Sequence, residues 1–292
     1  MRHHQTFVRV AALLLPLCSS SFAQWRCSSD TVRGTWAYQG HGTVMMNVPG
    51  SSSPVPVPFT GLGIGKIDPQ GRYTVHATMS AGGQVQDVDS SGSIQVNPDC
   101  TATDTYTSGS VQGADRLIIL DNGNEMRSMP TKFPLGPFAS MFYFRRLAWG
   151  DAQCTSDMVR GAYAGWREGT FMMPVPGQSQ PVPLPFSALV TFTVQSGGAV
   201  TAASTASMGG TIVDFQFPKG SSLQVNPDCT ATLNWSAVSK QYPGQTFTGT
   251  LKYIVLNYGN ELIGLDTQSS SGSSIVIETD KRISMMPIAS DQ

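Results

Sequence analysis

Charge is what this sequence has least of. Lys, Arg, Asp and Glu make up 13% of the 292 residues, about half the ~25% usual for soluble domains. With 18 basic and 19 acidic residues there is no basic patch to hold a phosphate backbone, so no nucleic acid is expected as a partner. Histidine is scarce too: of four in the chain, only His41 and His76 lie beyond residue 23. No Cys-x-x-Cys spacing occurs, so a zinc site lacks its ligands. Gly-x-Ser-x-Gly, His-Glu-x-x-His and P-loop patterns are absent. Gly61-Leu62-Gly63-Ile64-Gly65 has dinucleotide-loop spelling but lies inside a strand pattern with no helix after it. No metal and no cofactor is expected. No eleven-residue window carries the i, i+3, i+4, i+7 stripe of an amphipathic helix.

What is present is small, polar and β-forming. Ser and Thr together number 59, Gly 30 and Pro 19, while hydrophobics at 40% suffice for packed cores. Residues 1–23 read as a secretory signal: Arg2 and Arg9, the apolar run Val10 to Leu17, then Ser21-Phe22-Ala23 with small residues where a peptidase cuts. The run is too short to span a bilayer. The expected destination is the periplasm or the exterior. Beyond residue 23 the charge is 16 positive against 19 negative, a net of −3, which favours no charged partner. Cys18 lies in the signal, leaving Cys27, Cys100, Cys154 and Cys229, and an exported chain favours disulfides.

An internal repeat decides the pairing. Residues 95–103 read QVNPDCTAT, and so do 224–232. Val32-Arg33-Gly34 recurs as Val159-Arg160-Gly161, residues 48–59 recur as 175–186, and Gly123-Asn124-Glu125 recurs as Gly259-Asn260-Glu261. The offset grows from 127 to 129 to 136, so the second copy carries insertions of two and seven residues, expected in loops. The domains are therefore 24–150 and 151–292, meeting near Trp149-Gly150-Asp151-Ala152. Each copy keeps one early and one late Cys, which pairs Cys27 with Cys100 and Cys154 with Cys229. Loops of this length stabilise by roughly 3–4.7 kcal/mol each in the chain-entropy account.

The pattern is β throughout. Arg72 to Met79 alternates polar and apolar, and turn signals recur at Asp68-Pro69, Gly82-Gly83, Asn122-Gly123 and Gly197-Gly198. This predicts eight or nine short strands per copy, as a sandwich or an up-and-down barrel. The Pro-rich stretches before Phe59 and Phe186 are expected to break sheet pairing, as a stiff connection, a lid or a docking arm.

Alternation assigns faces. Trp36, Tyr38 and Gly40 point inward on the first strand, Phe59, Gly61, Gly63 and Gly65 on the second, Tyr73 on the third. In the second copy the inward set includes Tyr163, Arg167 and Phe186. Both histidines fall on the outer face. The three glycines leave space that Val190 and Phe192 fill in the twin. Three explanations stay open: volume compensation between two filled interiors, a ligand cavity, or tight strand coiling. Arg167, opposite Gly40, either grips a ligand carboxylate or bulges to solvent. Leu117 to Leu120 and Tyr253 to Leu256 are apolar on both faces, which points to barrel packed on barrel, to a homodimer, or to cover within one domain. The repeated acids Asp99/Asp228 and Glu125/Glu261 are explained by turns. An outer-membrane barrel shows an apolar outer band; here the outer face carries Thr, Gln, His and Arg, so membrane embedding is not expected.

Gly34-Thr35-Trp36 resembles the opening of a calycin barrel, the group that includes lipocalins. Those barrels place Gly-x-Trp on the first strand and an Arg near the last strand over the Trp, which implies Arg145 or Arg146 in copy one and Arg282 in copy two. Copy two departs with Gly161-Ala162-Tyr163. The order Cys, Arg-Gly-Thr-Trp, Gly-rich strand, Asn97-Pro98-Asp99-Cys100-Thr101 also resembles secreted bacterial barrels of the allene oxide cyclase or dirigent-like kind. That resemblance implies barrels that bind or fold small apolar molecules and carries over no catalytic residue. The expectation is an exported pair of tandem antiparallel β-barrels binding a small hydrophobic ligand. The alternatives are a template-type cyclase or isomerase and a cell-surface interaction module.

Overall fold

The computed structural model describes residues 26–47, 52–133, 138–148, 150–173, 181–270 and 272–284. The signal-like segment 1–23, Trp149 at the domain boundary, and residues 48–51 and 174–180 of the Pro-rich stretches lie outside them. The first eight strands are β1 (Gly34–Met46), β2 (Val55–Ile67), β3 (Arg72–Ala81), β4 (Gln84–Val96), β5 (Thr101–Ser108), β6 (Val111–Leu120), β7 (Glu125–Lys132) and β8 (Phe138–Ala148). The second eight are β9 (Gly161–Met173), β10 (Val182–Val194), β11 (Ala199–Met208), β12 (Thr211–Val225), β13 (Thr230–Ser239), β14 (Thr246–Leu256), β15 (Glu261–Ser269) and β16 (Ser273–Ser284). Each set closes into a barrel of sequential antiparallel strands, with β8 returning to β1 and β16 to β9. The tandem up-and-down barrels are thus as the alternation implied. Along β6, Gly113, Asp115, Leu117 and Ile119 face the interior while Gln112, Arg116, Ile118 and Leu120 face out.

Both disulfides form as paired from the repeat, Cys27–Cys100 and Cys154–Cys229. Each ties a short helical turn, Ser29–Val32 or Ser156–Val159, to one end of its barrel. The twin motifs fold identically. Asp99 accepts hydrogen bonds from the Thr101 amide at 3.0 Å and its hydroxyl at 2.7 Å, and Asp228 accepts the same pair from Thr230 at the same distances. These are Asx turns, and they set Cys100 and Cys229 at φ of 65° and 71°.

Three expectations need correction. The strands are not short, running from 8 residues in β5 to 15 in β12. The two-residue insertion lies not in a loop but in β12, where the register shifts between Gln216 and Ser222; a bulge absorbs extra residues without breaking the sheet. The prolines do not interrupt pairing: Pro56 and Pro58 sit in β2 opposite Met45 and Thr43. The Pro58 carbonyl accepts from Gly82 and the Pro185 carbonyl from Gly209, both at 3.0 Å. Their amide edges therefore face the neighbouring strand beyond its last paired residue, where no ladder bond is lost.

The barrels pack against each other. Ala37 and Leu62, on the outside of β1 and β2, form one buried cluster with Ile254, Leu256, Ile263 and Leu265 from the outside of β14 and β15. Around it, Gln39 Nε2 donates to the Gly264 and Glu278 carbonyls at 3.3 Å each. Lys252 Nζ reaches Thr78 Oγ1 at 2.7 Å and Asp87 Oδ1 at 2.9 Å, and Arg145 pairs with Glu261 at 3.0 Å. The two-faced apolar run Tyr253 to Leu256 is thus explained by barrel-on-barrel packing. Its twin is not covered: Ile118 and Leu120 are 48% and 38% exposed.

Candidate functional site

Each barrel has a closed end and an open end. At the closed end of the first, Arg146 lies 4.4 Å over the Trp36 ring, a cation–π contact, and donates to the carbonyls of Thr31, Arg33 and Gly123. Trp36 Nε1 donates to the Val32 carbonyl at 2.7 Å. In the second barrel Arg282 takes the same place and donates to the Tyr163 hydroxyl at 2.9 Å, which in turn donates to the Gly259 carbonyl at 2.6 Å. Tyr163 so keeps the Arg cover that a departure from Trp put in question. Trp36 and Tyr163 plug their barrels.

The first interior is filled. A Cβ on Gly40 would strike the Phe142 ring, and one on Gly63 would strike Tyr38 and come within 2.6 Å of the His76 carbonyl. Tyr38 packs on Phe144 with centroids 5.9 Å apart, and Phe59 on Phe142 at 6.2 Å. Gly61 faces Met79 and the Tyr38 hydroxyl across ordinary contact distances of 3.4 and 3.7 Å. In this barrel, volume compensation accounts for the glycines. Inside it lie two acids, Asp104 and Asp115, that are not among the residues inferred from sequence. Tyr73 donates to Asp104 at 2.8 Å and Ser128 to Asp115 at 3.1 Å, and the acids face each other across β5 and β6. Burial pushes their carboxyls up to about 7 and about 6, because desolvation disfavours the charged form.

The second barrel keeps a cavity of about 60 Å³ between its polar middle and its open end. Phe171, Phe186, Phe215, Phe217, Trp235 and Phe247 make its apolar wall, with Arg167 and Asp266 as charged groups. Phe171 and Phe186 meet edge to face at 4.8 Å. Of the residues inferred from sequence, Arg167 and Phe186 line this space; the others sit in the packed interiors described above. Arg167 points inward and does not bulge to solvent. Its Nε lies 2.8 Å from Glu278 Oε1, but the alignment is not that of a hydrogen bond. Glu278 and Asp280 are both fully buried on β16, and the Tyr253 hydroxyl is buried beside them without a partner. Burial and then the Glu278 charge hold the Asp280 carboxyl well above the usual carboxylate range. Burial likewise raises Asp266 to about 7. Asp266 Oδ1 and Trp235 Nε1 are buried without hydrogen-bond partners. One acceptor and one donor on the cavity wall are thus unsatisfied, a costly state for buried polar atoms.

A signal for the missed acids existed. Asp104 is in phase with Ala102 and Tyr106, Asp115 with Leu117 and Ile119, and Glu278 with Val276. Period-two phase places all three inside. Elsewhere, a wide open groove between the barrels holds His76 and Asp89, which pair at 2.8 Å in solvent. Among the described residues no group of three or more His, Cys, Asp or Glu is placed to hold a metal ion. No helix among them is long and apolar enough to cross a membrane.

No protein family and no curated protein matches this chain. Similar solved structures exist. A protein of unknown function from the DUF3598 family of Nostoc punctiforme is 14% identical, with 89% of this chain and 99% of that one covered, at a TM-score of 0.25. A putative outer membrane protein from Bacteroides fragilis is 13% identical over 87% and 98%, at 0.27. A porin-like protein from Bacteroides uniformis is 9% identical over 85% and 95%, at 0.18. Likenesses this distant assign no activity.

Proposed function

We propose that this is an exported protein that binds a small, mainly apolar molecule in the open end of its second barrel. The observation that carries this is the cavity itself, walled by six aromatic rings and bordered by an unpaired Trp235 donor and an unpaired Asp266 acceptor. Such a site selects an apolar body with one polar end. At about 60 Å³ the space takes roughly four waters, so it seats the tip of a slim molecule whose remainder leaves through the open end. Export to the periplasm or the exterior is supported by the signal-like residues 1–23 and by two disulfides, which persist in oxidising compartments. Outward positions such as Thr101, Thr103, Thr105 and Arg116 are polar and solvent-exposed, which supports a barrel outside the membrane. The Arg146 cover over Trp36 supports the calycin-like assignment.

The test is displacement of a fluorescent naphthalene probe by medium-chain fatty acids, fatty alcohols and polyketides, read alongside native mass spectrometry. Saturable binding to the wild type and none to Ala206→Phe, which fills the cavity from a buried wall position, is the expected result. Equal binding by the filled variant refutes the assignment. A second reading is favoured by Asp266: a carboxyl near pKa 7 on the wall of an apolar cavity is matched to proton transfer at neutral pH. It makes the barrel a template-type isomerase or cyclase, in which Asp266→Asn removes turnover and leaves binding intact.

A further inference from the structure

The contact between the two barrels is head to tail: the β1–β2 face of the first covers the β14–β15 face of the second. Because the domain is duplicated, each chain carries both faces once more. The first barrel repeats the covered face on β6–β7, and the second repeats the covering face on β9–β10. Among the described residues nothing covers either repeat. On β6–β7, Ile118 and Leu120 stand at the positions of Ile254 and Leu256, and Met129, 56% exposed, at that of Leu265. On β9–β10, Ala164 matches Ala37, and Leu189, 70% exposed, matches Leu62.

The charges repeat as well. Inside the chain, Lys252 sits on the Thr78–Asp87 pair of the other barrel. The twin pair is intact: Thr205 Oγ1 donates to Asp214 Oδ1 at 2.7 Å. The residue at the position of Lys252 is Arg116, another cation, with no ion-pair partner among the described residues. The Arg145–Glu261 bridge has its twin in Lys281 and Glu125, again a cation on the covering barrel and an acid on the covered one. At three positions the residue changes in character. Trp166 replaces Gln39 and keeps an N–H donor, Thr191 replaces Ile64, and Arg127 replaces Ile263. Within the chain Arg127 already pairs with Glu125 at 2.6 Å and lies 4.4 Å over the Tyr143 ring; docking adds Lys281 beside Glu125 and Trp166, 43% exposed, beside Arg127.

We propose that this chain associates head to tail with a second copy of itself, the β9–β10 face of one docking on the β6–β7 face of the next. Arg116 then bonds to the next copy's Thr205–Asp214 pair, and Glu125 pairs with its Lys281. A heterologous contact of this kind builds rings or filaments, not a two-fold dimer. It lacks the contacts made by the connecting segment, the Thr35–Gly150 hydrogen bond and the Lys66–Asp151 bridge, so assembly is weaker than the internal contact and depends on concentration.

The experiment is sedimentation velocity of the full disulfide-bonded protein over a concentration series. Wild type is expected to shift to larger species with concentration. Arg116→Asp and Asp214→Arg should each remain monomeric, with unchanged near-ultraviolet circular dichroism as the check on folding. An equimolar mixture of the two variants restores both junctions, the native Arg116–Asp214 pair and its charge-swapped counterpart, and should assemble again with the two variants alternating, as should the double variant on its own. Leu189→Lys is a second, charge-independent block. Wild type that stays monomeric throughout overturns the proposal, as do single variants that assemble like wild type or a mixture that stays monomeric.

Discussion

Asp104 offers a direct test of how the first barrel holds its buried acids. Its carboxyl is raised from 3.8 to about 7, chiefly by burial, with the Tyr73 hydrogen bond pulling the other way and the Asp115 charge adding to the rise. The folded barrel therefore binds this proton more tightly than the unfolded chain does. Below about pH 4 both states carry the proton and the site costs nothing. As the pH rises towards 7 the unfolded chain releases it first, and stability falls; above about 7 the penalty is complete. A shift of about three units at 1.36 kcal/mol each gives a penalty of about 4 kcal/mol. This is an upper bound, because Asp115 titrates nearby.

The perturbation is Asp104→Asn, which keeps the shape and the acceptor for Tyr73 and removes the charge. Near pH 8 the variant should be more stable than the wild type, by up to about 4 kcal/mol in denaturant unfolding and on the order of 10 °C in melting temperature. Near pH 4 the two should coincide to within about 1 kcal/mol. The informative quantity is the difference between the two proteins across the pH series, since Asp266 and Asp280 in the second barrel titrate in both. A variant less stable than wild type at pH 8, or an offset that does not change with pH, refutes the argument. Either result means that the ionised carboxylate is solvated or paired in the folded protein.

Three further outcomes follow from the same geometry. Gly63→Ala should cost roughly 1–3 kcal/mol in chemical unfolding because its Cβ meets Tyr38 and the His76 carbonyl, while Gly61→Ala, with its nearest neighbour 3.4 Å away, should change stability by less than about 1 kcal/mol. Replacing Cys154 and Cys229 by Ser together should lose about 4 kcal/mol, measured in the second barrel's unfolding, and leave the first barrel's pH profile unchanged. Ile254→Asp places a charge in the contact between barrels, and differential scanning calorimetry should then show two transitions where wild type shows one.

The framework was legible because it is local. Period-two alternation placed Trp36, Tyr38 and Phe59 inside, and the duplicated QVNPDCTAT motif fixed both disulfides. The Trp36–Arg146 cover was legible only through a family resemblance. What escaped depends on groups distant in sequence. Pro56 and Pro58 look like strand breakers until one sees that β3 ends before reaching them. Gly61, Gly63 and Gly65 look like room for a ligand until Tyr38 from β1 and Met79 and Val75 from β3 occupy that room. Arg167 was seen alone, and Glu278, its partner 111 positions away on the strand that closes the barrel, was not. The acids Asp104, Asp115 and Asp280 are readable by phase, whereas the repeated acids belong to turns (Asp99, Asp228), to a pair with Arg127 (Glu125) and to the bridge between the barrels (Glu261).

Comparison of the two interiors isolates what is particular to each. The closed ends are near copies: Trp36 or Tyr163 under Arg146 or Arg282, a disulfide, and the same Asx turn. Above them every costly group has an apolar or small twin. Arg167 and Glu278 stand where the first barrel has Gly40 and Phe142, and Asp280 where it has Phe144. In reverse, Asp104 and Asp115 stand where the second barrel has Leu233 and Leu251. The fold therefore accepts an apolar solution at each site, and buried acids are a departure that packing does not require. In the first barrel one oxygen of each acid is answered within the chain, by the hydroxyls of Tyr73 and Ser128, while Asp104 Oδ1 and Asp115 Oδ1 stay unpaired inside a packed interior. In the second, Asp266 and Trp235 leave polar atoms unanswered at the edge of unfilled space. Unpaired buried polar atoms are destabilising, and those of Asp266 and Trp235 border space that another molecule can enter; this supports the second barrel as the binding site we propose, with a donor and an acceptor for the ligand's polar end.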